Sequence, residues 1–177
     1  MLKDVSVADR PAIEPYFKGF KGTIKNISSE SPKYLIKGTY EIVADRKVRI
    51  TELPVGTWTD DYKEFLEKLM EVPAASASDK DKGKDKAAGG GVPVLKEYTD
   101  MSTDSVVDIT VTFHPSYPHT PKDLQAVVVD ADAGTNKLEK LLGLFTTQST
   151  TNMNLFDARE KLRKYANIYD IIEDYYR

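Results

Sequence analysis

The stretch KYLIKGTYEIV, residues 33–43, places Tyr34, Ile36, Tyr40 and Ile42 on a period of two that runs straight across Gly38. Alternation of that kind belongs to a half-buried β-strand. The next stretch, KVRITELP (47–54), continues it, with Val48 and Ile50 on one side and Arg49 and Thr51 on the other. Upstream, PYFKGFKGTIKNI (15–27) is aromatic and glycine-rich and runs into another extended segment. The pattern predicts three antiparallel strands, over 22–29, 33–44 and 47–52, with Pro54 ending the last.

Helical periodicity follows. Tyr62, Phe65, Leu66, Leu69 and Met70 fall at i, i+3, i+4, i+7 and i+8, one apolar stripe. Thr59 or Asp60 is the expected cap, Asp60 and Asp61 suit the positive end of the helix dipole, and Pro73 stops the helix. Trp58, the only tryptophan, stands at the strand-to-helix junction and is expected to be a packing anchor. Residues 74–91, AASASDKDKGKDKAAGGG, hold no large apolar side chain and are expected to form a disordered insertion within one fold.

Order resumes where Val107, Ile109, Val111 and Phe113 alternate with Asp108, Thr110 and Thr112, a further strand. HPSYPHTPK is a loop interrupted by Pro115, Pro118 and Pro121, and a helix is expected to start near Pro121. Leu138, Leu141, Leu142 and Phe145 mark another helical stripe, and LFTTQSTTNMNLFD (144–157) reads as one or two strands. That segment frames four threonines, a serine, a glutamine and two asparagines between apolar pairs. A last helix opens at Asn167 as N-cap and shows Ile168, Ile171, Ile172, Tyr175 and Tyr176 on one face. It is still apolar on that face at the final residue, so the chain is expected to be cut from a longer one. The expected organisation is a connector over 1–14 and an α+β domain over 15–177, an antiparallel sheet with packed helices.

Composition bounds the chemistry. The 177 residues include no cysteine, which removes disulfides and thiolate metal sites, and only two histidines, His114 and His119. Apolar runs fall far short of the ~20 residues that span a bilayer, and no membrane partner is expected. Net charge is -3, yet residues 1–50 hold ten Lys/Arg against six Asp/Glu and the rest fifteen against twenty-two, so +4 precedes -7. Local basic surface matters more for phosphate contact than the total.

Two motifs compete for a chemical role. AVVVDADAG (126–134) brings Asp130 and Asp132 to a D-x-D spacing that can hold Mg²⁺, the basis of an alternative reading as a phosphotransferase. Too little chain follows for the rest of such a site, and Asp is common in turns. KGFKG (18–22) lacks the spacing of a phosphate loop. Its lysines, interleaved with Tyr16, Phe17 and Phe20, fit nucleic-acid contact; the plainer alternative is core rings with solvated lysines.

Five blocks occur together in order: PYFKGFKGTI (15–24), ITELPVGTWTDDYKEFL (50–66), LKEYTDMSTDSVVDITVTF (95–113), LLGLFTTQSTTNMNLFD (141–157) and IYDIIEDYYR (168–177). They resemble consecutive blocks of the eukaryotic type II DNA topoisomerases, in the tower of the DNA breakage-and-rejoining core. The resemblance implies a parent isomerase that passes one duplex through a transient break in another, using ATP and Mg²⁺, as a homodimer in the nucleus. That family cleaves DNA with an Arg-Tyr pair upstream of the tower, and no Arg-Tyr dipeptide occurs here. The segment alone is therefore expected to be inactive, with no catalytic residue, metal ligand or cofactor of its own, and with its dimer contacts elsewhere.

Its partner would be double-stranded DNA. The tower would hold the arms of the bent gate duplex through phosphates, which position without reading sequence. The candidate contacts are Lys18, Lys21 and Lys25 from the first block and Thr147, Gln148, Thr150 and Asn152 from the fourth. Hydroxyls and amides can donate to phosphate oxygens without added charge. Met153 and Leu155 are expected to point into the core while Asn152 and the 147–150 run face DNA. The family often carries a basic residue where this chain has Gly56. The other class of reading is a protein-interaction module, with the stripe of 168–176 docking a partner helix.

Overall fold

A computed structural model describes residues 13–27, 33–71, 92–131 and 133–176. Most of the expected connector, the whole of the expected insertion at 74–91, and Asp132 lie outside the described residues. In chain order the elements are β1 (Thr23–Asn26), β2 (Lys33–Lys37), β3 (Thr39–Ala44), β4 (Lys47–Glu52), α1 (Thr59–Met70), β5 (Leu95–Asp100), β6 (Ile109–Phe113), α2 (Pro121–Ala126), β7 (Val128–Asp130), β8 (Thr135–Asn136), α3 (Lys137–Leu141), β9 (Phe145–Ser149), β10 (Asn154–Phe156), β11 (Leu162–Lys164) and α4 (Ile168–Tyr175). This is an α+β fold built on antiparallel sheet.

The stretch 33–43 is two strands, not one. β2 pairs with β1 and β9 in a three-stranded sheet, while β3 opens a four-stranded sheet ordered β3-β4-β6-β5. The break falls at Gly38. A Cβ there would overlap the carbonyl oxygen of Glu52, and the Gly38 N–H donates to the Leu144 carbonyl at 3.0 Å. A bare backbone thus lets the chain pass tightly between the end of β4 and the start of β9 as it changes sheets.

The four-stranded sheet and α1 hold the main core. In β6, Ile109, Val111 and Phe113 are fully buried while Thr110 and Thr112 are half-buried, the expected alternation. Val48 and Ile50 of β4 are equally buried beside them. α1 buries Tyr62 and Leu66, and Phe65, Leu69 and Met70 pack against the same cluster. Burying each large side chain contributes about 1.5–3 kcal/mol. The Tyr62 hydroxyl, carried inside with its ring, donates to the Leu142 carbonyl at 2.8 Å, so no polar atom is left unpaired there. Burial holds its pKa well above the usual tyrosine value.

The start of α1 differs from expectation. Thr59 is already the first helical residue, so Trp58, extended at φ -83°, occupies the N-cap position; its indole carries only an N–H donor and supplies no side-chain cap. The short helices are better capped. Thr120 and Asp123 form a capping box on α2, Asn136 and Glu139 another on α3, and Asn167 accepts from the Asp170 N–H at the start of α4 as the sequence predicts. Phe145, expected at the end of the stripe in α3, belongs instead to β9.

Candidate nucleic-acid interface

The sheet β1–β2–β9 brings together residues far apart in the chain. Its register aligns Lys25 with Leu35 and Leu35 with Thr147 in one row, and Asn26, Tyr34 and Gln148 in the next. Lys33 faces Ser149 in the row beyond. Directly paired residues share a face and consecutive residues alternate. One face therefore carries Lys25, Lys33, Thr147 and Ser149, and the other carries Asn26 and Gln148. All six are exposed, around the buried Tyr34 and Leu35.

Charge on this sheet is one-sided. The strands TIKN, KYLIK and FTTQS include Lys25, Lys33 and Lys37 and no Asp or Glu, in a chain of net charge -3. Lys37 is spoken for internally. Its Nζ donates to Glu139 Oε2 at 2.8 Å and to the Gly134 carbonyl at 2.5 Å. Glu139 also accepts from the Asn136 N–H within the α3 cap. The pair ties the sheet to α3, leaving Lys25 and Lys33 as its solvent-facing cations.

The other sequence candidates are scattered around this sheet. Lys18 and Lys21 are exposed on the bend before β1, where the Phe20 N–H closes a turn on the Phe17 carbonyl at 3.2 Å. Lys18 lines a groove of about 580 Å³ with Phe17, Phe20 and Trp58, but also with Glu52 and Asp104. Its surroundings are more mixed in charge than those of Lys25. Thr147 and Gln148 point to opposite faces, so one surface cannot meet the run 147–150 evenly. Thr150 is half-buried, and Asn152 is exposed with its Oδ1 accepting from the Asn154 amide.

Two packing expectations are corrected. Trp58 is 75% exposed and is no core anchor: α1 turns its apolar stripe inward from Tyr62 onward and leaves the N-cap side chain over the open groove. Leu155 is 45% exposed, because β10 pairs only with β11 and that two-stranded hairpin has no sheet behind it to bury the residue. Leu155 instead lines a groove with Tyr165, Ile171 and Tyr175. Met153 is half-buried. α4 is held to this hairpin by the Tyr165 hydroxyl, which donates to Asp174 at 2.5 Å, yet none of its residues is buried.

Catalytic geometry is lacking at the sequence candidates that can be placed. Asp130 is exposed and its Oδ1 accepts from the Ala133 N–H at 3.1 Å, an ordinary turn role. His114 Nδ1 accepts from the Ser116 N–H. Among the described residues no group of three or more His, Asp or Glu is placed to hold a metal ion, so they do not fit a Mg²⁺ centre. No helix among them is long and apolar enough to cross a membrane.

Sequence reasoning missed Lys33, Ser149 and the Lys37–Glu139 tie. The period of two in KYLIK already puts Lys33, Leu35 and Lys37 on one strand face, a usable signal. Nothing in the sequence pattern announces that β9 lies beside them.

The fold and this surface define a class: an α+β domain with a lysine-bearing, carboxylate-free sheet and no assembled catalytic centre among its described residues. The family model for the A-type subunit of DNA gyrase/topoisomerase IV matches residues 3–177, and the chain belongs to that family. It is 32% identical to DNA topoisomerase 2 of Bombyx mori over 99% of this chain and 9% of that one, and 30% identical to DNA topoisomerase 2 of Pisum sativum over 93% and 9%. It also resembles the solved Plasmodium falciparum topoisomerase II DNA-binding, cleavage and re-ligation domain, with a TM-score of 0.66 and 29% identity over 96% of this chain and 19% of that one. The chain thus spans under a tenth of the length of these curated relatives.

Proposed function

We propose that the chain is a segment of a type II DNA topoisomerase and acts as its tower, holding an arm of the bent gate duplex by its phosphates. The observation that carries this reading is the sheet β1–β2–β9, with lysines and no carboxylate in a chain that is acidic as a whole. Backbone contact supplies affinity without sequence choice. Bending a site of 20–30 base pairs costs of order 1–6 kcal/mol, which arm contacts offset. Lys25 and Thr147 are the central contacts, with Lys18, Lys21, Gln148, Thr150 and Asn152 around them. Strand passage, ATP and Mg²⁺ belong to other parts of the parent, which works as a homodimer in the nucleus. One relative, from Dictyostelium discoideum, is named as mitochondrial.

Fluorescence anisotropy of an end-labelled duplex at low salt tests the reading. The expected result is weak, salt-sensitive binding that drops when Lys18, Lys21 and Lys25 are changed together to Ala. Binding that ignores the triple change removes those lysines from the account, and absence of binding removes the DNA role of this chain. A second reading, a protein-interaction module, is favoured by the exposed Phe156, Leu162, Tyr175 and Tyr176 on the hairpin and α4. Hydrogen exchange separates the two, since duplex DNA protects 144–149 under the first and leaves them unchanged under the second.

A further inference from the structure

We infer that Lys33 and Ser149 form a second phosphate-binding position on the face of Lys25 and Thr147, so that this face grips two neighbouring phosphates of one DNA strand. The inference rests on the DNA reading above and extends it to residues that no sequence motif marks. Lys33 and Ser149 are direct partners in the β2–β9 register, which sets their Cβ atoms about 4.5–5.5 Å apart. Lys25 lies one strand across and two residues along from Lys33, roughly 7–8 Å away on the diagonal. That step is comparable with the separation of neighbouring phosphates along a DNA strand. A flexible lysine stem covers the remaining difference.

Each position pairs an ammonium with a hydroxyl: Lys25 with Thr147 across Leu35, and Lys33 with Ser149 directly. The Ser149 hydroxyl lies 2.9 Å from that of Thr151, which keeps it local while leaving it exposed. No ion pair among the described residues engages Lys25 or Lys33. Protection of a sheet edge does not explain Lys33 either, because β2 is the central strand. The third lysine on this face, Lys37, shows what a structural lysine looks like here: its side chain is largely covered and held against Glu139.

The test is the salt dependence of duplex binding by the whole chain, read by anisotropy between about 50 and about 200 mM NaCl. Each phosphate contact contributes close to 0.9 to the slope of log K against log salt. Lys33→Ala is expected to lower that slope by about 1, as Lys25→Ala does, and Lys33→Arg to restore it. Ser149→Ala is expected to weaken binding with the slope unchanged. A slope and affinity unmoved by Lys33→Ala, while Lys25→Ala lowers both, overturn the inference and leave the DNA reading standing. Absence of binding, or indifference to both lysines, overturns the two together. Lys33→Gln serves as the neutral variant if Lys33→Ala shifts the thermal melt.

Discussion

Lys37 of β2 and Glu139 of α3, 102 residues apart, meet at 2.8 Å with side chains only 14% and 10% exposed. Neither charge could stay in that position alone without a large desolvation penalty. Lys37→Met leaves Glu139 unpaired and unties the sheet from α3. The expected cost is near the low end of about 3–5 kcal/mol, because some water reaches the pair. Denaturant unfolding measures it. Adding Glu139→Leu to Lys37→Met is expected to recover part of the loss, and failure to recover any would show that the Glu139 cap on α3 matters more than its charge.

Trp58 gives an optical handle. At 75% exposure its indole should emit as a solvated tryptophan and be quenched freely by acrylamide. Trp58→Ala is expected to change stability by less than about 0.5 kcal/mol, the usual range for a surface side chain. A blue-shifted, protected emission would contradict the open groove.

Gly56 is predicted to resist substitution. It sits at φ +90° after Val55, in a turn closed by the Thr57 N–H on the Pro54 carbonyl at 3.0 Å, the arrangement of a type II turn. There is room for a side chain, since a Cβ meets nothing within 4 Å, so the cost is conformational. Gly56→Ala should lose about 1–2 kcal/mol, or several degrees in Tm. A basic side chain at this position would meet the same strain in this backbone.

Acid is expected to destabilise the fold through its hydrogen-bonded aspartates. Arg49 donates to both oxygens of Asp108, at 2.8 and 2.7 Å, and holds its pKa below the ordinary aspartate value against the opposing effect of burial. The backbone and hydroxyl of Thr120 do the same for Asp123. A depressed folded-state pKa means the stabilisation is complete above the unfolded value, near 3.9, and is lost as pH falls through the folded one. Thermal melts should therefore be flat above about pH 5 and decline below about pH 4. Asp108→Asn should make that decline shallower; an unchanged acid limb would mean that the Arg49 contact does not persist in solution.

Leu66 tests the core. It is fully buried in the stripe of α1, and Leu66→Ala should cost about 2–5 kcal/mol by equilibrium unfolding. A much smaller value would mean that α1 packs loosely against the sheet.

Local pattern was readable wherever one face of an element meets the core. The alternation in β6, the stripe of α1 and the Asn167 cap all follow from side-chain period and capping chemistry, which act over a few residues. The same logic fails at the hairpin and α4. Leu155, Tyr175 and Tyr176 look like core residues in sequence and are exposed in the structure, because apolar character does not tell a side chain what it will pack against. Trp58 fails for the same reason.

By itself the sequence determined that this is an α+β chain, where most strands and helices begin, and the order of blocks that marks its family. Those features depend on residues near one another along the chain. Only the tertiary structure decided that 33–43 divides at Gly38 between two sheets, that Lys37 is consumed by Glu139, and that Lys25, Lys33, Thr147 and Ser149 share a face. A period of two says which residues of a strand point the same way. Which strands become neighbours is settled by closures spanning more than a hundred residues, such as Leu35 beside Thr147 and Gly38 against Leu144, and these depend on how the whole core packs.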